Sequence, residues 1–293
     1  NAYGHGAIEV AHCLQDAGAD YLGVALPEEG AELREAGITI PILVLSAIAD
    51  EQIHLCIKND LTLTAPSDER VQRINEVADE MKTRARIHIN VDTGMGRIGV
   101  HYSRVEKFFP AITKASSVDV EGIYSHFSSS EKNGKQTQIQ LKRFLSVCRQ
   151  FEEAGITFEI KHIANSAATV LNLDTHFDMV RVGLALYGFA EGYILPRGLP
   201  LKPVLSWKTQ VSYFKSLSKG EGVGYGHSYI ASEDTRIATL TVGYADGYRK
   251  AMDSSGSVII RGRVYPIVGS ICMDQMMIDL GSDGEAYVGD EVI

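Results

Sequence analysis

From residue 7 to about residue 181, short apolar runs alternate with longer stretches whose apolar residues recur every three or four positions. The runs at 21–25, 42–45, 61–64, 87–91, 120–124, 159–163 and 179–182 have the length and composition of strands. Between them, Ile8, Ala11 and Leu14 share one helical face, Val71, Ile74 and Val77 share another, and Ile139, Phe144, Val147 and Phe151 roughly track a third. Strands separated by helix-length segments predict an α/β domain, a (β/α)8 TIM-type barrel whose first strand precedes Asn1. A doubly wound open sheet is the competing arrangement. It calls for a glycine-rich phosphate turn after its first strand, and none is visible.

The pattern changes at 196–203, where three prolines fall in eight residues and helical spacing does not return. A boundary is expected there, giving a barrel over 1–200 and a mainly β domain over 201–293. The second domain's strands are expected at 205–217, 236–242, 257–260, 264–268 and 276–280, joined by Gly, Asp and Ser turns. Asn1 falls in what reads as a loop after a strand, and residues 289–293 break off as a strand begins. Both ends therefore read as cut from a longer polypeptide.

Composition narrows the function classes. With 293 residues, 45% of them apolar, the chain can build both cores. A net charge of −9 without a lysine or arginine cluster argues against nucleic acid as a partner. Cys13, Cys56, Cys148 and Cys272 are far apart and form no C-x-x-C pair, which fits reduced thiols in the cytoplasm better than a disulfide or zinc framework. No stretch is long and apolar enough for a membrane span, and the first residues do not resemble a signal peptide.

In a barrel, catalytic groups come from the carboxyl ends of the strands. Strand 87–91 is followed by Asp92, Thr93, Gly94, Met95, Gly96 and Arg97, and strand 120–124 by Ser125 and His126. Strand 159–163 contains His162 and leads to Asn165 and Ser166, and the last strand carries Arg181 before Gly183. Each has an ordinary reading by itself. His126 reads equally as a hydrogen-bonded structural histidine, Gly94 and Gly96 as a turn, Arg181 as a barrel-mouth ion pair, and Asn165 with Ser166 as a helix cap.

Their joint order is more informative. Asn-Ala-Tyr-Gly-His-Gly (1–6), Asp-Thr-Gly-Met-Gly-Arg (92–97), His162 with Asn-Ser-Ala (165–167), Arg-Val-Gly (181–183), Val-Gly-Tyr-Gly (223–226), Gly-Tyr-Ala-Asp-Gly (243–247) and Cys-Met-Asp-Gln (272–275) resemble, in order, the signature segments of alanine racemases. The resemblance covers essentially the whole chain. It implies a pyridoxal 5'-phosphate (PLP) enzyme that interconverts L- and D-alanine, supplying D-alanine for peptidoglycan, as a homodimer whose β-domains complete each other's sites.

By motif, Tyr3, Ser166, Gly183 and Leu184 match the cofactor phosphate positions, with His126 and Asn165 also at the cofactor. Arg181 faces the pyridine nitrogen, which a guanidinium leaves unprotonated because it cannot accept a proton. Arg97 reaches the phenolic oxygen, while Tyr244 and Met273 line the substrate carboxylate and entrance. Racemisation needs a proton donor or acceptor on each face of the substrate. In the family these are a Schiff-base lysine, placed two residues before Asn1, and a tyrosine, here Tyr225. An ordinary phenol titrates near 10, and the family's assistance to it maps to a chain from Tyr225 through His162 to Arg181.

One position departs from the pattern. Many family members carry a lysine that becomes carbamylated where this chain has Asn90. Asparagine cannot carry that charge, so a small anion such as chloride is expected between Asn90 and Arg97. Competing functions are racemisation of serine, a non-catalytic PLP-binding barrel, and a decarboxylase sharing the barrel and β-domain. The non-catalytic reading does not explain Tyr225 and Tyr244 in full motif context, and the decarboxylase should lack 223–226 and 272–275.

Overall fold

The computed structural model describes every residue except 133, 191, 193, 194, 197 and 198. Part of the expected boundary at 196–203 thus lies outside the described residues. The chain forms two compact units, Asn1–Val204 and Leu205–Ile293.

The first unit runs α1 (Ala7–Asp16), β1 (Leu22–Val24), α2 (Pro27–Glu35), β2 (Ile42–Val44), α3 (Asp50–Lys58), β3 (Thr62–Ala65), α4 (Asp68–Glu80) and β4 (Ala85–Asp92). It continues with β5 (Val100–His101), α5 (Phe108–Lys114), β6 (Val118–Tyr124), α6 (Lys135–Glu153), β7 (Ile160–His162) and α7 (Ser166–Leu171). The strands pair in parallel in the order β1-β2-β3-β4-β6-β7, with β5 added beside the end of β4. The expected strand at 179–182 is reduced to a single parallel bridge, Met179 to His162. Its backbone nevertheless follows β7, through Asp178 N–H to Lys161 C=O and Arg181 N–H to Ala164 C=O. The parallel sheet matches the expected barrel order but is open, with β1 and the segment 178–181 at its two edges.

Helices form where the apolar stripe and the caps agree. In α4, Ser67 Oγ accepts from the Arg70 N–H, Asp68 and Glu69 occupy the first turn, and Val71, Ile74, Val77 and Ala78 are buried. In α6, Leu141, Phe144, Val147, Cys148 and Phe151 form the buried stripe, and Phe151 packs edge-on against Phe109 and Phe158.

The strands bury both faces, but the two faces differ. In β4, Ile87, Ile89 and Val91 join the apolar core, while His88 and Asn90 alternate with them and are equally enclosed. In β3, Leu63 and Ala65 enter that core and Thr62 and Thr64 do not. At β6 the register with β4 jumps from Ile87–Val120 to His88–Gly122, so Glu121 is an inserted residue. This bulge keeps Val120 and Ile123 with the apolar core and re-aims Glu121 away from it.

The second unit contains β8 (Thr209–Leu217), β9 (Gly222–Val223), β10 (Tyr229–Ile230), β11 (Thr235–Leu240), β12 (Ser257–Ile260), β13 (Arg263–Val268), β14 (Met276–Gly281) and β15 (Glu291–Val292). Six of them close an antiparallel barrel in the order β11-β14-β13-β12-β15-β8, which leaves no free edge. Strict alternation drives it: Met276, Ile278 and Leu280 point into a core shared with Val211, Leu240, Ile260 and Ile267. The β12–β13 hairpin turns on Arg261 and Gly262, both at positive φ, as a two-residue mirror-image turn requires.

Candidate active site

The first unit holds a cavity of about 1670 Å³, lined from the carboxyl ends of the strands and from both sheet edges. Tyr3, Asn90, Arg97, His126, Asn165, Ser166, Arg181, Gly183 and Leu184 all line it, so sequence positions spread over 180 residues converge there. His162 does not line it.

At one side the chain builds a cradle of small donors. Asn165 caps α7, its Oδ1 accepting from the Ala168 N–H at 3.1 Å and from the Ser130 hydroxyl at 2.6 Å. Ser166 Oγ, at the first position of that helix, accepts from the N–H groups of Gly183 at 2.9 Å and Ala185 at 3.3 Å. A Cβ at position 183 would come within 2.6 Å of the Tyr3 hydroxyl, so only glycine leaves that space open. Tyr3, Ser166, Gly183 and Leu184 thus line one side of the cavity, with the Tyr3 and Ser166 hydroxyls near the Gly183 backbone.

Arg181 is half-buried at the cavity wall, and its guanidinium is almost fully committed. Its Nη1 donates to His162 Nδ1 at 2.7 Å, and its Nη2 donates to Ser125 C=O at 2.7 Å and contacts His126 Nδ1 at 3.2 Å. Nε makes no hydrogen bond among the described residues and is the donor left for a ligand. Burial holds the Arg181 pKa down to about 10, which leaves the guanidinium charged at neutral pH. Its cation, after burial itself, depresses both neighbouring histidines: His126 falls to about 3 and His162 well below its ordinary value. Both rings are neutral near pH 7.

The two histidines divide the work differently from the sequence expectation. His162 cannot be the intermediary for Tyr225: Nδ1 is taken by Arg181, Nε2 by His88 at 2.8 Å, and the ring is wholly buried. Its plane stacks on Tyr124 with centroids 4.8 Å apart. His126 lines the cavity, uses Nδ1 toward Arg181 and has no partner at Nε2 among the described residues. The histidine free to receive another group is therefore His126.

Asn90 is buried with Oδ1 unpartnered, and a Cβ at Gly99 would collide with that oxygen. Arg97 lies near enough to depress His126, yet makes no hydrogen bond or ion pair among the described residues. His88, Glu121 and Tyr124 belong to this interior and were not singled out from the sequence. The available signal was a polar residue at every second position of a buried strand, as at His88 and Asn90.

In the second unit, Tyr225 (76% exposed), Tyr244 and Met273 sit on exposed loops. The loops adjoin: Tyr244 N–H bonds Cys272 C=O at 3.0 Å, Ala245 N–H bonds Met273 C=O at 2.9 Å, and Gly243 permits this approach because a Cβ would strike both carbonyls. A Cβ on Gly224 would lie 3.3 Å from the Ser270 backbone nitrogen, which places the Tyr225 loop against the same group.

A parallel α/β unit whose strand ends and edges line a cavity holding a donor-only arginine, followed by a closed β-barrel presenting tyrosines on its loops, defines a two-domain architecture with a site for a small acceptor ligand. The sequence profile for "Alanine racemase, N-terminal domain" matches residues 1–191, and that for "Alanine racemase, C-terminal domain" matches 204–293. An alanine racemase of Halothermothrix orenii is 42% identical over 294 residues, covering 100% of this chain and 78% of that protein. Among solved structures, the alanine racemase of Clostridium difficile 630 superposes with a TM-score of 0.89 at 39% identity, over 100% of this chain and 77% of that one. The alanine racemase of Bacillus anthracis with bound L-Ala-P gives a TM-score of 0.86 at 35% identity, over 99% of this chain and 75% of that one. The chain belongs to the alanine racemase family, the PLP-dependent isomerases that interconvert L- and D-alanine.

The residues present fit that cofactor. The hydroxyl and N–H cradle suits a phosphate, and the uncommitted Nε–H of Arg181 suits an acceptor nitrogen. No helix among the described residues is long and apolar enough to cross a membrane.

Proposed function

We propose that this chain holds PLP through Tyr3, Ser166, Gly183 and Leu184 at the phosphate, Arg181 at the pyridine nitrogen and Arg97 at the phenolic oxygen, and racemises alanine there with Tyr225 as one of two bases. The observation that supports this reading is Arg181, a donor-only guanidinium at the cavity wall with Nε uncommitted among the described residues, where a carboxylate would instead favour a protonated ring nitrogen. Bound PLP would supply the electron sink that makes the alanine Cα–H acidic.

The chain's own residues account for the rest of the chemistry. Arg181 holds the ring nitrogen as an acceptor and keeps His126 neutral, and neutral His126 offers Nε2 to the Tyr225 hydroxyl. Tyr225 moves a proton at one face of Cα. Tyr244 and the Met273 N–H bound the carboxylate end.

Tyr225, Tyr244 and Met273 are exposed in their own unit, which supports a homodimer in which each β-domain serves the partner's cavity. Mixing Tyr225→Phe and Arg181→Ala chains is expected to restore one intact site per hybrid. Asn90 brings no charge to Arg97, and an anion such as chloride between them replaces it. Anomalous scattering from bromide at that position tests this, and water alone there would count against it.

The main test is the complete open reading frame carrying this chain, followed by absorption of bound PLP and optical rotation with L-alanine, D-alanine and L-serine. Racemisation of alanine faster than serine is expected. A protein that binds PLP and turns over none of the three would sink the assignment.

A further inference from the structure

The interior of the first unit contains one unbroken line of hydrogen bonds. Arg181 Nη1 meets His162 Nδ1 at 2.7 Å, His162 Nε2 meets His88 Nδ1 at 2.8 Å, and His88 Nε2 meets Glu121 Oε2 at 3.0 Å. The same Oε2 accepts the Tyr21 hydroxyl at 2.5 Å, and Tyr21 is within 3.2 Å of Thr62 Oγ1. The line runs from the cavity wall through β7, β4 and β6 to the start of β1. His162, His88 and Glu121 do not line the cavity, and none of them touches the cofactor or substrate in the chemistry above.

The two ends have fixed polarity. A guanidinium can only donate and a carboxylate can only accept, while each neutral imidazole between them has one donor and one acceptor. A single arrangement satisfies every bond: Arg181 N–H to His162 Nδ1, His162 Nε2–H to His88 Nδ1, His88 Nε2–H to Glu121. A proton on either Nδ1 would set donor against donor. The carboxylate end is held ionised, because the His88 hydrogen bond foremost lowers the Glu121 pKa, while burial and Glu121 raise that of Tyr21 so that it remains a donor.

Several features of the sequence maintain this line. The bulge in β6 turns Glu121 inward. Gly122 makes room for the His88 ring, since a Cβ there would lie 2.7 Å from its Cε1 and Nδ1. Tyr124 stacks on His162, and its ring lies 5.0 Å from the Arg181 guanidinium carbon. Arg181 forms no ion pair among the described residues, so the nearest compensation along its bonded path is the carboxylate at the far end.

We propose that Glu121 is a positioning residue: by ending the line in an acceptor it sets, through His88 and His162, which ring nitrogens carry protons and fixes the Arg181 guanidinium in one orientation. This rests on the role of Arg181 proposed above, but the proton positions do not depend on turnover. Misplacing a group that faces the reacting ring costs rate rather than affinity for alanine.

Neutron diffraction from the deuterated full-length holoenzyme reads the proposal directly. Deuterons are expected on Nε2 of both His88 and His162 and on neither Nδ1, and a deuteron on either Nδ1 overturns the proposal even if alanine is racemised normally. Glu121→Leu removes the terminal acceptor and is expected to lower kcat about tenfold with KM for alanine little changed, and to shift the absorption of bound PLP. Glu121→Gln keeps a carbonyl acceptor and should recover most of kcat and the original spectrum. If Glu121→Leu lowers only Tm, leaving kcat and spectrum as in the parent, Glu121 is a structural residue and the inference fails. Should Glu121→Leu not fold, a Glu121→Gln enzyme that loses both kcat and the Nε2 deuterons overturns it equally.

Discussion

The two units enclose opposite interiors. Inside the open parallel sheet lie His88, Asn90, Tyr124, Ser125 and His162, all buried, with the half-buried Arg181 bonded to them. Inside the closed barrel lie Val211, Leu240, Ile260, Ile267, Met276, Ile278 and Leu280, with no ionised group in the cluster. The first unit keeps its chemistry within the fold and is held to one geometry by hydrogen bonds whose loss leaves buried polar groups unpaired. The second encloses an apolar core and carries Tyr225 and Tyr244 on exposed loops, so those tyrosines can change without disturbing the core. A polar interior couples stability to function, and an apolar one separates them.

Substitutions can break that comparison. The largest effect is expected from Tyr225→Phe, with kcat down about a thousandfold while the urea midpoint stays unchanged, because the ring is exposed and supports nothing in its own unit. A large loss of stability there would contradict the separation. Ile278→Ala should do the reverse, removing about 3 kcal/mol from unfolding with kcat per folded molecule retained.

Acid sharpens the contrast. His126 and His162 have depressed pKa values in the folded protein, so on acidification the unfolded chain binds protons first, below about 6.5. Their contribution to stability is present above that pH and is lost as pH falls toward the folded value, near 3 for His126. Denaturant titrations at pH 6.5 and 5.5 should differ by about 2 kcal/mol, and His126→Asn should flatten the dependence. The smallest effect concerns Gly122→Ala, where the displaced His88 ring should lower kcat about tenfold at unchanged KM. Parental kcat in the Gly122→Ala enzyme would show that His88 need not hold its place.

Much of this was legible in the sequence because apolar periodicity reports which face of a strand meets helices. The strands at 42–45, 61–64 and 87–91 appear close to where their apolar runs place them. The run at 179–182 is weaker, since Gly183 follows at once and a single bridge remains. The cavity residues were legible as strand-end polar residues in motif order. The histidine roles were not: which ring nitrogen is free depends on partners 19 and 74 residues away, and those exchange His162 for His126 as the one open to the cavity. Glu121 was illegible for a similar reason. A carboxylate between Val120 and Gly122 reads as the solvent side of an alternating strand until the inserted residue in β6 is seen.

That inserted residue makes strand length itself informational. Deleting one residue before Glu121 would regularise the ladder with β4, yet every side chain upstream would exchange inside for outside, bringing Val120 toward the histidines and leaving His88 Nε2 facing hydrocarbon. Anyone shortening or grafting β6 is therefore editing the electrostatics of a cavity that Glu121 reaches only through two other side chains.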